Sequence, residues 1–257
     1  MTGWVEYYAL LCWILKDASW VLLFPYTAWC ALAGALTFEF WYVVRSYQDA
    51  DVYQRLHRLV PLAWILGNGA WMTAELLYEA PGENINFPWF PKALIGGPAV
   101  MHTTLKALAA VLFLTGALLC GVTQYLGRAK PAGHRTLSEL DQDVWVGFWA
   151  LKDLFWLSAW PYPALICSAI VCALLLRARS LNKDPRGDIL CSAEITWLSA
   201  NTLWLIGELM LLDAHPAVRV SCFLILMIAL ALNIHGMVNI QDRDLGESSK
   251  LRAMTQK

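Results

Sequence analysis

The sequence has few charged residues, and this shortage limits the classes of protein to which the chain can belong. Charged residues make up 15% of the 257 positions and hydrophobic residues 58%, whereas roughly a quarter of a soluble domain is charged. The formal net charge is −1, so the sequence lacks the excess of basic residues that phosphate binding needs. The composition excludes a soluble domain, argues against nucleic acid as a partner, and predicts the lipid bilayer as the surroundings of the chain.

Motifs for metals, redox chemistry and secretion are also missing. The seven cysteines all lie in apolar stretches, without CxxC or a Cys/His ligand spacing, and His102 and His235 have no ligand partner at metal spacing. We therefore predict no metal and no cofactor. The first apolar stretch has no basic leading region, and Lys16 and Asp17 interrupt it, so we expect it to remain as the first helix rather than to be a signal peptide.

Long hydrophobic runs, by contrast, are abundant. A bilayer core takes about 20 apolar residues as helix, the conformation that satisfies the backbone internally. Two junctions, at Pro25 and at Pro161, are tight, and we predict a hairpin at each rather than one long kinked helix, since proline suits the first turn of a helix. Eight spans are predicted: 4–23, 25–44, 59–78, 99–126, 144–160, 161–179, 189–212 and 219–241.

The distribution of basic residues predicts the orientation. With eight crossings, one side receives 14 of the 19 lysines and arginines, and the other receives only Lys92 and Arg219. Basic residues concentrate on the cytoplasmic side of membrane proteins. Both termini are therefore expected in the cytoplasm of an integral, multi-pass membrane protein, in an endomembrane or the plasma membrane.

An internal repeat is the most specific signal. The segment Trp13 to Trp20, WILKDASW, returns as Trp149 to Trp156, WALKDLFW. Four residues of the third span return in the seventh at a slightly shorter spacing, so that Trp64 corresponds to Trp197. The predicted fold is an all-α membrane protein of two tandem, parallel four-helix repeats about a pseudo-two-fold axis along the membrane normal. The boundaries are 1–126 for the first repeat, 127–143 for a cytoplasmic linker, 144–241 for the second repeat and 242–257 for a cytoplasmic tail.

The repeated residues form polar and aromatic stripes at helical spacing. Ionisable side chains inside spans normally face a bundle interior or a wet cavity, so these residues are the candidate site. The candidate catalytic residues are Lys16, Asp17, Glu75, Lys152, Asp153 and Glu208. The candidate substrate-binding residues are Trp13, Trp20, Trp64, Asn68, Trp71, Trp149, Trp156, Trp197, Asn201 and Trp204.

Each kind of residue also has a structural interpretation. The Lys-Asp pairs either neutralise themselves and fix helix packing or tune an acid for proton chemistry. Glu75 and Glu208 either snorkel or act as neutral, proton-donating acids, and Asn68 and Asn201 either bond across helices or orient those acids. The tryptophans suit interfacial belts or an apolar or cationic ligand. Lys106, Glu39 and Glu194 lie near span ends and are expected to snorkel.

The N-terminal part of the chain resembles a known family. The motifs that carry the likeness are Lys16-Asp17-x-x-Trp20, Trp41-Tyr42-x-x-Arg45, Leu59-Val60-Pro61-Leu62 and Asn68-Gly69-Ala70-Trp71. Over the first three predicted spans, it resembles the integral membrane terpene cyclases of fungal meroterpenoid and indole-diterpenoid pathways. The resemblance implies a small helical membrane enzyme in which an embedded carboxylic acid protonates an epoxide or olefin and a polyene then cyclises.

The chain departs from that family at its acids. The family has glutamate directly after the tryptophan of its N-x-x-W motif, where this chain has Met72, and Glu75 is the nearest acid. The second acid of the family lies in its last span, whereas residues 219–241 contain none. The family is described with seven spans, against the eight predicted here.

Three functions are consistent with these patterns. The leading prediction is a membrane-embedded terpenoid cyclase-like enzyme that protonates and cyclises a prenylated or polyene substrate in an aromatic-lined cavity. The alternative is a transporter or channel for a small solute or proton, with its pathway along the pseudo-two-fold axis. A third is a subunit that binds a lipid or pigment. The expected partners are a hydrophobic small molecule and the bilayer.

Overall fold

Every element of the protein is an α-helix over the residues that the structure, a computed structural model, describes: 3–49, 52–78, 98–128, 137–181, 185–210 and 216–255. The helices are α1 (Gly3–Val21), α2 (Pro25–Asp49), α3 (Val52–Tyr78), α4 (Pro98–Arg128), α5 (Leu137–Leu157), α6 (Pro161–Leu181), α7 (Pro185–Met210) and α8 (Pro216–Thr255). Five of these eight are long and apolar enough to cross a membrane, namely α2, α4, α6, α7 and α8. This is the architecture of a multi-pass membrane protein.

Three helices, α1, α3 and α5, fall short of that criterion, and buried charges are one cause. Two of them, α1 and α5, carry Lys-Asp pairs, at Lys16-Asp17 and Lys152-Asp153, and these four residues are at most 3% exposed. Mean hydropathy counts such charges as polar even when they face the protein interior. The crossing of all eight helices stays a prediction.

Tight turns separate α1 from α2 and α5 from α6. The amide of Leu23 bonds to the carbonyl of Trp20 at 2.9 Å and the amide of Phe24 to that of Ser19 at 2.8 Å, which caps the last carbonyls of α1. Leu23 has a positive φ of 58°, and Ala159 in the second turn has 55°. The predicted hairpins are therefore confirmed, and the alternative of long kinked helices is wrong.

The helices form a closed ring. Each packs against the next along the chain, and α8 returns to pack against α1. The inner helices α1, α3, α5 and α7 run in one direction: Trp13 of α1 contacts Trp64 and Trp197, whereas Trp20, two turns later, contacts Trp71 and Trp204. We call the end where these four helices begin the N-end, and the end with the two turns the hairpin end.

The outward face of the ring is apolar. On α4 and α8, large aliphatic side chains recur at helical spacing and are 47% to 62% exposed, and this pattern suits contact with acyl chains rather than with water. These residues are Val111, Leu114 and Leu118 on α4, and Val220, Leu224 and Ile228 on α8.

Several helices extend beyond the predicted spans. Helix α3 begins at Val52, α5 begins at Leu137 inside the predicted linker, and α8 continues to Thr255 through the predicted tail. Hydropathy detects the length of an apolar stretch and does not detect where a helix ends, because polar residues continue a helix readily once it leaves the hydrocarbon.

Closure of the ring depends on close contact between α8 and α1. Asn233 donates a hydrogen bond to the backbone carbonyl of Tyr7 at 2.9 Å, and a Cβ at Gly236 would lie 2.8 Å from the Tyr7 hydroxyl and overlap the ring. We expect Gly236→Ala to lower the free energy of unfolding by about 1–3 kcal/mol, the usual cost of overpacking. Thermal unfolding of the purified protein in detergent measures this.

Gly121 supplies the matched control, because nothing lies within 4 Å of a Cβ added there. Gly121→Ala should leave stability unchanged or raise it slightly, since alanine favours helix over glycine. Equal unfolding temperatures for the two variants would contradict the close α1–α8 contact.

Candidate functional site

Four tryptophans, one from each inner helix, pack together at the centre of the bundle. Ring centroids are 5.1 Å apart for Trp13 and Trp64, 6.0 Å for Trp64 and Trp149, 4.3 Å for Trp149 and Trp197, and 5.5 Å for Trp197 and Trp13. The four indoles thus form a closed ring, which we call the first indole layer. All four are at most 8% exposed.

A second closed ring of four indoles lies about two helical turns nearer the hairpin end. Its members, Trp20, Trp71, Trp156 and Trp204, have neighbouring centroids 5.0 to 5.4 Å apart. The interplanar angles of 82° to 89° are edge-to-face, an arrangement that brings the positive edge of each ring to the negative face of the next. We call this ring the second indole layer.

The two Lys-Asp pairs lie between the indole layers, and each carboxylate is bound by the other half of the chain. Lys16 pairs with Asp17. The second carboxylate oxygen of Asp17 accepts hydrogen bonds from the Trp197 indole at 2.7 Å and from the Asn201 amide at 3.2 Å. Asp17 in α1 is thereby fixed by α7.

The same pattern occurs with the halves exchanged. Lys152 Nζ lies 2.6 Å from Asp153 Oδ1, and Asp153 Oδ2 accepts hydrogen bonds from Trp64 at 2.7 Å and from Asn68 at 3.0 Å. Asn68 also accepts a hydrogen bond from Lys16 at 3.2 Å, so its amide links the two pairs. We call the two Lys-Asp pairs, together with Asn68 and Asn201, the ionic layer.

The two ammonium groups also face indole rings. Lys16 Nζ lies 5.1 Å from the Trp20 ring centroid, and Lys152 Nζ lies 5.2 Å and 4.9 Å from those of Trp149 and Trp156. A cation over an aromatic face is attracted by the ring quadrupole, and most strongly where water is excluded. Both lysine side chains are fully buried, so these contacts replace part of their hydration.

Glu75 and Glu208 lie at the hairpin side of the second indole layer and are partly exposed. Glu75 accepts hydrogen bonds from the Trp20 indole at 3.0 Å and from Trp71. Glu208 accepts equivalent bonds from Trp156 at 2.9 Å and from Trp204. The second indole layer therefore separates these acids from the Lys-Asp pairs.

The structure thus brings the candidate residues of the repeat together, with the polar groups facing the interior as expected. They do not surround an open hollow: over the described part of the chain, the indole and ionic layers fill the centre with their own side chains. The eight indoles therefore pack against one another, and they do not enclose the aromatic-lined cavity that the leading prediction requires.

An open cavity of about 390 Å³ lies instead at the N-end, beside the first indole layer. This size is in the range of small-molecule sites. Residues of α1, α2, α3, α5, α6 and α7 line it. The lining residues with polar or aromatic side chains are Glu6, Trp13, Glu39, Tyr42, His57, Arg58, Trp145 and Glu194, and the apolar ones include Leu10, Val146, Leu175 and Leu190.

Charged groups are concentrated on one part of this cavity. Arg58 lies 4.9 Å from the ring centroid of Tyr42 and within electrostatic reach of Glu6 and Glu39. Glu194 has Glu6 as its charged neighbour. Glu39 is only 3% exposed, so the expectation that it snorkels is wrong: its helix turns it toward the cavity.

The sequence contained a signal for the cavity residues. Glu194 precedes Trp197 by one helical turn, and Glu6 precedes Trp13 by two, so both extend the polar stripes of α7 and α1 toward the N-end. The repeat does not identify them as site residues, because neither acid has an acidic counterpart in the other half. No cluster of three histidine, cysteine, aspartate or glutamate side chains able to hold a metal occurs within the described ranges.

Breaking one ion pair of the ionic layer should be costly. Asp17→Leu leaves the fully buried Lys16 ammonium without its counter-ion, and we expect a loss of about 3–5 kcal/mol in the free energy of unfolding. The double substitution Lys16→Met with Asp17→Leu should recover part of that loss, since no charge is then stranded. Chemical unfolding in mixed micelles measures both.

An exposed ion pair supplies the control. Arg179 Nε lies 2.6 Å from Asp188 Oδ1, but each side chain is 44% exposed. Asp188→Ala should therefore lower the free energy of unfolding by less than about 1 kcal/mol. If Asp17→Leu costs no more than Asp188→Ala, the ionic layer does not stabilise the bundle.

Comparison with protein-family models, curated proteins and solved structures finds no match.

Proposed function

We propose that the chain crosses the membrane eight times as two tandem four-helix repeats related by a pseudo-two-fold axis along the membrane normal. The equivalent contacts support this: Trp197 bonds to Asp17 as Trp64 bonds to Asp153. Leu23 and Ala159, whose positive φ angles follow the ends of α1 and α5, are also counterparts, with the same spacing as Trp13 and Trp149. The N-end then faces the cytoplasm with both termini.

This topology predicts which loops glycosylation enzymes reach. Acceptor sequences inserted in 79–97 and 211–215 should be glycosylated when the chain is made in microsomes, because these connections lie on the lumenal side. Acceptors inserted in 129–136 and 182–184 should not be. Modification of a loop in the second group would contradict the eight-span topology.

For the activity, we infer a membrane-embedded terpenoid cyclase-like enzyme that protonates and cyclises a prenylated or polyene substrate. The observation that carries this proposal is the cavity at the N-end, in which the buried Glu39 and the half-buried Glu194 face aromatic and aliphatic walls. A carboxylic acid in such surroundings can act as a general acid. The motif resemblance points to the same chemistry.

The charges around the two acids suggest separate roles. Glu194, which lines the cavity beside Leu190 and has Glu6 as its charged neighbour, donates its proton to a terminal olefin carbon or an epoxide oxygen. The carbocation formed is attacked by the next double bond, closing a ring. Glu39, near Arg58, then accepts a proton from the final cation. The reaction is an isomerisation, with one proton gained and one lost.

The aromatic side chains of the cavity support the cationic intermediate. Trp13, Tyr42 and Trp145 line it, and the negative face of an aromatic ring stabilises a positive charge without reacting as a base. Of the eight repeated tryptophans, Trp13 alone is among the lining residues. The other seven serve to hold the inner helices in position.

In this proposal the acids predicted from the repeat have a structural role. Asp17, Glu75, Asp153 and Glu208 each accept hydrogen bonds from at least two side chains of the indole and ionic layers. Their oxygens are therefore engaged in holding helices together. A transporter with its pathway along the axis has less support, because the two indole layers occupy the axis in this conformation.

Activity measurements on matched variants test the location of the acid. Purified protein is incubated with epoxidised and plain prenylated substrates, and cyclised product is quantified. We expect Glu194→Gln and Glu39→Gln each to lower turnover by roughly 10²–10⁴-fold, the usual contribution of a general acid or base. Glu75→Gln and Glu208→Gln should retain turnover within a few-fold, provided that they unfold at the wild-type temperature.

The opposite result is equally informative. Product that disappears in Glu75→Gln but persists in Glu39→Gln and Glu194→Gln would show that the catalytic acid is Glu75, at the hairpin end. If no substrate yields a cyclised product, the proposed cyclase activity is contradicted.

A further inference from the structure

The two walls of the N-end cavity occupy counterpart positions of the repeat but differ in chemistry. Positions on α2 and α6 correspond at the spacing of Trp13 and Trp149, and positions on α3 and α7 at the spacing of Trp64 and Trp197. In four of the five lining pairs of α2 with α6 and of α3 with α7, the N-terminal half contributes the polar group and the C-terminal half a small or apolar one. These four pairs are Glu39 with Leu175, Tyr42 with Ala178, His57 with Leu190, and Arg58 with Cys191. Glu194, opposite Pro61 in the repeat, is the exception. The lining pairs of α1 with α5, Ala9 with Trp145 and Leu10 with Val146, do not follow this pattern.

Two residues that line the cavity each carry a buried hydrogen-bond donor without a hydrogen-bond partner among the described residues. These donors are the hydroxyl of Tyr42 and the indole N–H of Trp13, and both residues are 8% exposed. The other three tryptophans of the first indole layer do not line the cavity, and two of them, Trp64 and Trp197, donate to aspartates. A buried donor without an acceptor costs about 1–3 kcal/mol, so a group that accepts from it is favoured at this position.

We propose that this cavity binds a hydrophobic molecule with one neutral oxygen-bearing end, and that it fixes the orientation of that molecule. The oxygen, as alcohol, carbonyl or epoxide, accepts hydrogen bonds at the wall that carries Tyr42 and Trp13. The hydrocarbon part lies against Leu175, Ala178 and Leu190. This inference deepens the proposed function and rests on it for the identity of the reaction, although binding is independent of turnover.

The charge of the cavity restricts the oxygen-bearing end further. The indole N–H can only donate, so it requires an acceptor and cannot bind an ammonium group. Three carboxyl groups, Glu6, Glu39 and Glu194, line the cavity together with one arginine, Arg58, so a phosphate there would have a single guanidinium to pair with and would oppose ionisation of the acids. The site therefore selects a neutral prenyl alcohol or epoxide over a prenyl diphosphate.

Three probes with the same prenyl chain test this selection. Binding of farnesol, farnesene and farnesyl diphosphate to the full chain in nanodiscs is measured, and partition into empty nanodiscs is subtracted. We expect farnesol to bind at least about tenfold more tightly than farnesene, the difference that roughly 1.4 kcal/mol of hydrogen bonding makes. Farnesyl diphosphate should bind more weakly than farnesol.

Two variants and a matched control test which donor groups produce the preference for farnesol. Tyr42→Phe removes only the hydroxyl, and Trp13→Phe removes the indole N–H. Each should reduce the preference for farnesol over farnesene severalfold. Trp149→Phe makes the same change at the counterpart position, in the same indole layer but away from the cavity lining, and should leave the preference intact.

The outcomes separate this inference from the proposed reaction. Equal binding of the alcohol and the hydrocarbon, as expected if ordered water alone satisfies the two donors, would overturn it. So would tighter binding of the diphosphate, or an equal loss of preference in Trp149→Phe. A preference for farnesol that depends on Tyr42 and Trp13, in a protein that cyclises no substrate, would support the binding site and refute the cyclase.

Discussion

Each half of the chain provides the hydrogen-bond donors that the buried carboxylate of the other half requires. Asp17 depends on Trp197 and Asn201, and Asp153 depends on Trp64 and Asn68. An ion removed from water costs several kcal/mol unless its partners are well placed. The reciprocal bonds therefore require that the inner helices of both halves pack together. They also fix the axial position of each inner helix relative to its neighbours.

This constraint explains why the centre of the bundle is filled. Packed indoles lie on both sides of the ionic layer, so the ion pairs are desolvated and their hydrogen bonds are correspondingly strong. A rigid, satisfied core leaves little room for a substrate among the duplicated residues. The space suited to a ligand lies at the N-end, beside the first indole layer, where counterpart residues have diverged between the halves.

The duplicated residues and the proposed site thus occupy different parts of the molecule. The duplicated residues hold helices together, a task that both halves must perform equally. Most residues of the N-end cavity that carry acid, base or donor groups have no counterpart of the same type in the other half of the chain. One reaction or one ligand needs only one set of such groups. The divergence of Glu39 from Leu175 and of Tyr42 from Ala178 gives the cavity two different walls, and a ligand bound there has a defined direction.

The sequence by itself determined the membrane class, the hairpins at Pro25 and Pro161, and the inward direction of the Lys-Asp, asparagine and tryptophan stripes. These follow from local rules: the length of apolar runs, the conformation of proline, and the cost of exposing charge to hydrocarbon. Only the tertiary structure decided that Asp17 pairs with α7, that eight indoles close into two layers, and that the cavity lies at the N-end beside Glu39. Helical periodicity gives the face of each helix but not which helix lies opposite, and the volume left between side chains depends on how all eight helices pack together.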